Sequence, residues 1–400
     1  MNRIETKAKE QIDFIHQSGL KAPQKIIFGM RTVEQLGELA LPYAAKSNAF
    51  VLMGARSAKN SGLADRVCTL LNRYTVKMIA HTNVGREPTV RMIDDAVAAA
   101  RVAKPSIVIS LGGGSVVDCG KAVAALLPNE GSVQEYLEGS GDVRRLAKDP
   151  LPHIAVPTNF GTGAEMTKNA VVTLPDQGVK RSMRDDRMFP TVALIDSELS
   201  LSVPPYITAS GGMDALAQLI EPCLSVKRRP AVTQLACEGL RNVQLGLSVA
   251  YEDPNNSLAR ERLALVSMIG GVCLANAGLA MAHGIAAALG ALHNLPHGLA
   301  CGILLSHSLR YIRSACEPEL KGALAAFLNE LEPTARTLDD GIAAIESLAR
   351  WLQIPQNLKF LTLTEKDIDN LAEHSLGSSM AGNPIPMTRE SIKAFLQTLT

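Results

Sequence analysis

The 400-residue chain carries a formal net charge of +1, with 46% hydrophobic, 20% charged and 4% aromatic residues. That balance allows two or three domains, or one large one with a substantial core, and excludes nucleic acid as the main partner, which would call for a basic field. Few aromatics beside many small and aliphatic residues favour packed helices over an all-β architecture.

The first residues, MNRIETKAKEQIDFIHQSG, mix charges throughout and lack the apolar core of a secretory signal. NAFVLMG (48–54) is apolar and β-prone, and SGLADRVCTLLNRY (61–74) has helical spacing. YTVKMIA (74–80) predicts a strand, TVRMIDDAVAAARVAK (89–104) a helix, and SIVISLGGG (106–114) a buried strand. The helix SVVDCGKAVAALL (115–127) follows, then strands at LPHIAVPT (151–158) and TVALIDSEL (191–199). Such alternation predicts a parallel sheet with crossover helices. From about Ser200 the spacing turns helical, as in ASGGMDALAQLIEPCLS (209–225) and ARERLALVSMIGGVCLANAG (259–278). We therefore expect an α/β domain over residues 1–199 and an all-helical domain over 200–400. The run Val266–Ala282 has no charge and approaches the length of a membrane span. Ser267, Gly270, Gly271, Asn276 and Gly278 interrupt it, so it reads as a helix in a large helical core, and no membrane is expected. Seven cysteines without a CxxC fit free thiols in a reducing cytoplasm.

Four motifs carry chemistry. SLGGGSVVDCGK follows a strand and opens a helix. Its glycines Gly112, Gly113 and Gly114 permit unusual backbone angles and close approach, Ser115 reads as the N-cap, and Asp118 completes a capping-box-like pattern. Amides at such a helix start suit a phosphate, as does a tight structural turn without one. PTNFGTGAEMT (157–167) also follows a strand and offers Thr158, Asn159 and Thr162 beside two glycines. Asp214 and Gln218 stand four apart in a helical segment and share a face. His283 and His297 would lie roughly 21 Å apart in one straight helix. Gly290, Asn294 and Pro296 should break that helix, so His297 begins a second one folding back toward His283 and Asp214.

Together these pieces resemble the iron-dependent (group III) alcohol dehydrogenases. The resemblance runs from about Lys25 to the end and rests on IIFG, GREPTV, GGGSVVDCGKAVA, PTNFGTGAEMT, GGMDALAQ, HGIAAALGALHNLPHG and SSMAGNPIPMT in that order. It implies an α/β dinucleotide-binding domain followed by an all-α metal and substrate domain, with the active site in the cleft between them. It further implies pyrophosphate contacts from Gly113, Gly114 and Ser115, with Asp118 in the same motif. Thr158, Asn159 and Thr162 would line the nicotinamide side, and Asn169 and Lys180 fall where the family often contacts the cofactor. The implied metal ligands, for Fe2+ or Zn2+, are Asp214, Gln218, His283 and His297. Gln218 replaces the usual His, Ala287 replaces another active-site His, and Ala164 replaces a common Ser. An amide oxygen is a weaker ligand than imidazole but can bind directly or through water.

The implied activity is reversible hydride transfer between NAD(P) and a small alcohol–aldehyde or oxo-acid pair, by a homo-oligomer of two or more chains. Four alternatives stay open: a metal-independent reductase of the maleylacetate reductase type, an impaired family member, a lyase or cyclase like dehydroquinate synthase, and a non-catalytic nucleotide-binding or assembly protein. Without a metal, His293 or His297 would donate the proton, although His293 also reads as a loop residue. After the strand 48–54, Gly54, Ala55, Arg56, Ser57 and Lys59 offer cations and no carboxylate, so NADP(H) is the preferred nicotinamide. The basic clusters KRSMRDDR (180–187) and VKRRP (226–230) read as solvated faces.

Overall fold

Alternate residues of a strand point to opposite faces, so an uninterrupted apolar strand needs a cover on both. A computed structural model describes residues 2–44, 47–54, 61–85, 87–139, 141–329 and 337–400. In chain order its first elements are α1 (Arg3–Gln17), β1 (Lys25–Gly29), α2 (Leu36–Ala44), β2 (Asn48–Gly54), α3 (Leu63–Asn72), β3 (Lys77–Val84), α4 (Val90–Ala103), β4 (Ile107–Gly112) and α5 (Gly114–Leu126). It continues through β5 (His153–Pro157), β6 (Asn169–Leu174), β7 (Val179–Arg184) and β8 (Val192–Asp196). Six strands form a parallel sheet in the order β1-β8-β5-β4-β2-β3.

Both covers are present. In β2, Phe50 and Leu52 join one buried cluster, and Ala49, Val51 and Met53 join another. β4 divides the same way, Val108 to the first and Ile107, Ile109 and Leu111 to the second. Residues of α4 and α5 fill the first cluster, and those of α2 and α3 the second. Each large apolar side chain buried here is worth about 1.5–3 kcal/mol.

β6 and β7 form a separate antiparallel hairpin, with Asn169 opposite Arg184 and Thr173 opposite Lys180. Apart from the candidate cofactor contacts Asn169 and Lys180, the sequence here reads as a basic cluster and not as a hairpin. Charge dense enough to look like a loop hides a strand when acidic neighbours neutralise it. Lys180 pairs with Glu87, Arg184 with Glu138, and Arg187 with Asp185 and Asp149.

By packing, Met1–Asp13, Ala22–Asn159 and Ala164–Ser202 form one unit, and Phe14–Lys21, Phe160–Gly163 and Val203–Thr400 a second. The second contains α6 (Pro205–Leu224), α7 (Pro230–Glu252), α8 (Ser257–Ala277), α9 (Met281–His293), α10 (His297–Ile312), α11 (Glu317–Phe327), α12 (Leu338–Trp351), α13 (Glu365–His374) and α14 (Arg389–Gln397). Thr337, Thr364 and Thr388 cap the last three helices, each reciprocated by the residue three positions on. The apolar run from Val266 belongs to α8 and α9, which bend by 101° at their junction. Val266–Cys273 are buried, and among the described residues no single helix is long and apolar enough to cross a membrane.

One local expectation needs correction. The N-cap of α5 is Gly113, not Ser115. Gly113 is extended (φ −72°, ψ −178°), and its carbonyl accepts from Val116 and Val117, so Ser115 already lies in the first turn. Asp118 therefore does not cap. Its carboxylate accepts from the Val171 amide at 3.0 Å and pairs with Lys121 at 2.9 Å.

Candidate functional site

On α6, Asp214, Gln218 and Glu221 follow one another at spacings of four and three and so share one face. All three are buried. α9 ends at His293, Asn294 takes a left-handed backbone (φ 53°), and Pro296 caps α10, whose first residue is His297. The reversal brings the His283 and His297 rings to 5.4 Å between centroids. α10 approaches α6 closely because residue 298 is glycine. A Cβ there would sit 2.3 Å from the Ser210 carbonyl oxygen and 3.2 Å from Asp214 Cβ.

Four donors meet at this crossing. His283 Nε2 lies 3.1 Å from Asp214 Oδ1, His297 Nε2 lies 3.8 Å from the same oxygen, and Cys301 Sγ lies 3.7 Å from His297 Nε2. The ligand atoms of Asp214, His283, His297 and Cys301 all fall within 4.8 Å of one another. A tetrahedral ion with bonds of about 2.0–2.3 Å spaces its ligands roughly 3.3–3.8 Å apart, close to the separations given above, so small side-chain shifts would let this group hold a divalent cation.

The other ring nitrogen of His283 is also engaged. Nδ1 lies 2.6 Å from Glu221 Oε2, and the Glu221 carboxylate accepts from the Ala280 amide at 3.0 Å and the Ala282 amide at 2.7 Å. Glu221 therefore caps the start of α9 and fixes which nitrogen of His283 faces Asp214. Burial works to lower the His283 pKa, but the charges of Cys301 and Glu221 and the Asp214 hydrogen bond hold it well above the ordinary imidazole range. Burial works to raise the Asp214 pKa; His297 and His283 outweigh it and hold the carboxyl below its ordinary value. Burial pushes the Cys301 thiol up to about 12.

Gln218 has a different place. Its amide hydrogen-bonds to Asp214, while Oε1 is buried without a partner and lies against Gly270. His293 sits at the far end of α9, about 15 Å of helical rise from His283. It is not among the groups gathered at Asp214. Sequence reasoning missed Glu221 and Cys301. Both were legible as helix-face spacings, seven residues beyond Asp214 and four beyond His297.

In the α/β unit, successive connections run outward in opposite directions from β2 and β4. Ligands of such sheets bind at the strand carboxyl ends beside this reversal. Gly112 ends β4 opposite Pro157 of β5, and the Thr158 amide donates to the Gly112 carbonyl at 3.0 Å. A Cβ on Gly113 would lie 3.2 Å from Asn159 Oδ1, so the two predicted loops abut. Gly113, Gly114 and Ser115 thus form the start of α5 at this edge. Asn169 opens β6, and Lys180, on β7, is held by Glu87. Thr162 lies in the short piece packed with the helical unit, where the Gly161 and Gly163 amides donate to Ser267 Oγ at 2.9 and 3.2 Å. Arg56 lies outside the described residues.

Beside this loop Lys121 is fully buried, donating to the Ala164 carbonyl at 2.9 Å and Thr167 Oγ1 at 2.8 Å. Burial pushes neighbouring Glu165 up to about 7, and its Oε1 has no partner. The folded state binds this proton more tightly than the unfolded one. Stability from Glu165 is therefore full below about pH 4.5 and lost as pH rises through about 7. Glu165→Gln is expected to remove a slope worth about 3 kcal/mol. Denaturant melts of the two proteins across that window check this; parallel curves would contradict it.

The geometry has counterparts in known proteins. Residues 23–197 match the family Iron-containing alcohol dehydrogenase, and residues 208–400 match Fe-containing alcohol dehydrogenase family, C-terminal. Long-chain-alcohol dehydrogenase 1 of Geobacillus thermodenitrificans is 32% identical over 84% of this chain and 85% of its own length. A crystal structure of 1,3-propanediol oxidoreductase superposes with a TM-score of 0.88 at 27% identity, covering 95% of this chain and 99% of that one. Sulfoacetaldehyde reductase from Bifidobacterium kashiwanohense, solved with NAD+, gives 0.85 at 29% identity, covering 94% and 97%.

Proposed function

The chain belongs to the iron-containing alcohol dehydrogenase family, and on that footing we propose that it interconverts a small alcohol and its aldehyde or oxo-acid counterpart with NADP(H). The observation that carries the reading is the meeting of Asp214, His283 and His297 in a buried crossing of α6, α9 and α10. These three residues would hold a divalent ion. When bound, such an ion supplies Lewis acidity toward the substrate oxygen.

The chain's own residues do the rest. Asp214 supplies the negative charge, and the Gln218 amide steadies its carboxylate. Glu221 accepts a hydrogen bond from His283 Nδ1 and so leaves Nε2 facing Asp214, free to serve as a ligand to an ion that these residues would hold. Burial of Asp214 and His283 keeps bulk water from competing. At the start of α5, Gly113, Gly114 and Ser115 present amides suited to a pyrophosphate, with Asn159 and Thr158 beside them. The seven free thiols support a reducing cytoplasm as its setting.

The nicotinamide preference rests on sequence. No carboxylate stands among Gly54, Ala55, Arg56, Ser57 and Lys59 to repel a 2′-phosphate. Steady-state rates of aldehyde reduction over a panel of short aldehydes should favour NADPH over NADH by on the order of tenfold in kcat/KM, about 1.4 kcal/mol. An NADH preference would overturn the cofactor choice. Absence of turnover with either cofactor across the panel would overturn the activity.

A further inference from the structure

Cys301 is the one thiol in the cluster, and nothing in the pattern of Asp214, Gln218, His283 and His297 anticipated it. It stands four positions after His297 on α10, so both side chains leave the same helix face. Its sulfur is buried and lies 3.7 Å from His297 Nε2. Each of the other three donors is likewise within 4.8 Å of it.

Gln218, by contrast, is turned away from a ligand's role. Its NH2 end is engaged with Asp214, and its oxygen faces Gly270. To present that oxygen at the crossing, the amide would have to give up its bond to Asp214. The position expected to supply a fourth ligand from α6 thus braces the first ligand instead. The structure offers another fourth donor one turn along α10.

We propose that Cys301 ligates the ion as a thiolate, completing an Asp214, His283, His297 and Cys301 donor set that favours Zn(II) over Fe(II). On binding, the S–H bond breaks, its proton leaves to solvent and a metal–sulfur bond forms, with no change in oxidation state. Thiolate is a soft donor that selects zinc, whereas carboxylate and imidazole accept either metal. With Asp214 and Cys301 both anionic, two charges balance a divalent cation, which lowers the cost of holding it in a buried site. The inference rests on the metal reading above and sharpens it at one ligand.

Cobalt(II) loading of the metal-stripped full chain tests it without reference to turnover. The wild-type derivative should show an intense near-ultraviolet sulfur-to-cobalt charge-transfer band, and Cys301→Ser should lose that band while still binding cobalt through the other three residues. Zinc affinity of Cys301→Ser, measured by chelator competition, should fall by more than about tenfold, because even loss of an outer partner costs about 10–100-fold. Its Fe(II) affinity should fall less. A wild-type cobalt complex with ligand-field bands but no charge-transfer band would overturn Cys301 as a ligand and leave the Asp214, His283 and His297 site standing. Failure to bind cobalt or zinc at all would overturn both. Cys301→Ala serves as a second variant, and unchanged circular dichroism certifies that either variant is folded.

Discussion

His283→Ala is expected to leave a folded, metal-poor protein whose kcat/KM for aldehyde reduction is lower by about a thousandfold or more. The loss corresponds to about 4 kcal/mol, the several kcal/mol a Lewis acid supplies. Of the proposed ligands, His283 is the one whose removal should damage the site most cleanly. Its Nε2 is 3.1 Å from Asp214, and its Nδ1 is fixed by Glu221. Glu221 keeps its amide bonds from Ala280 and Ala282 when the ring is gone, so the start of α9 stays capped and folding survives. Metal content by elemental analysis should drop with activity, while cofactor binding, measured by quenching or enhancement of NADPH fluorescence, should persist. Glu221→Gln should act in the same direction but more weakly, lowering metal affinity about 10–100-fold. A His283→Ala protein with full metal content and full turnover would remove His283 from the machinery.

Gly298→Ala should be a strongly damaging single-methyl change at the site. The added carbon would meet the Ser210 carbonyl oxygen at 2.3 Å, a backbone atom that cannot rotate aside, so α10 must move away from α6. Overpacking of this kind costs about 1–3 kcal/mol. Because His297 is the neighbouring residue, the same displacement spoils the ligand spacing, and zinc affinity should fall together with stability. Gly322→Ala on α11 provides the control, since nothing lies within 4 Å of its added carbon. There the usual helix preference for alanine should stabilise by about 0.8–1 kcal/mol. Thermal melts of the metal-free forms, with zinc titrations alongside, separate the two effects. Equal stability of Gly298→Ala and wild type would contradict the packing account.

The sequence made the sheet legible because burial on both faces leaves a simple mark, a short apolar run without alternation, as at residues 48–54 and 106–112. The reversal between His283 and His297 was legible for a similarly local reason. Asn294 and Pro296 carry their conformational preferences with them in any context. What stayed hidden depends on partners distant in the chain. β7 could not be told from a solvated loop without knowing that Glu87 and Glu138 neutralise its Lys180 and Arg184. Gln218 looked like a weakened ligand because its spacing from Asp214 was visible and its contact with Gly270 was not. Cys301 and Glu221 sat at readable helical spacings, yet a thiol or a carboxylate on a helix face means little until the facing helix is in place. The N-cap reads two residues late in the sequence, at Ser115, because a glycine N-cap carries no side-chain signal.

On the proposed function, a divalent ion held by Asp214, His283 and His297 would serve alcohol–aldehyde interconversion. The most direct measurement of this is the metal content of gently purified protein followed through chelation and reloading, with activity assayed at each step. The account predicts one zinc or iron ion per chain, loss of activity in step with chelation, and recovery on adding the metal back. Metal-free protein that is fully active and indifferent to chelator would contradict it.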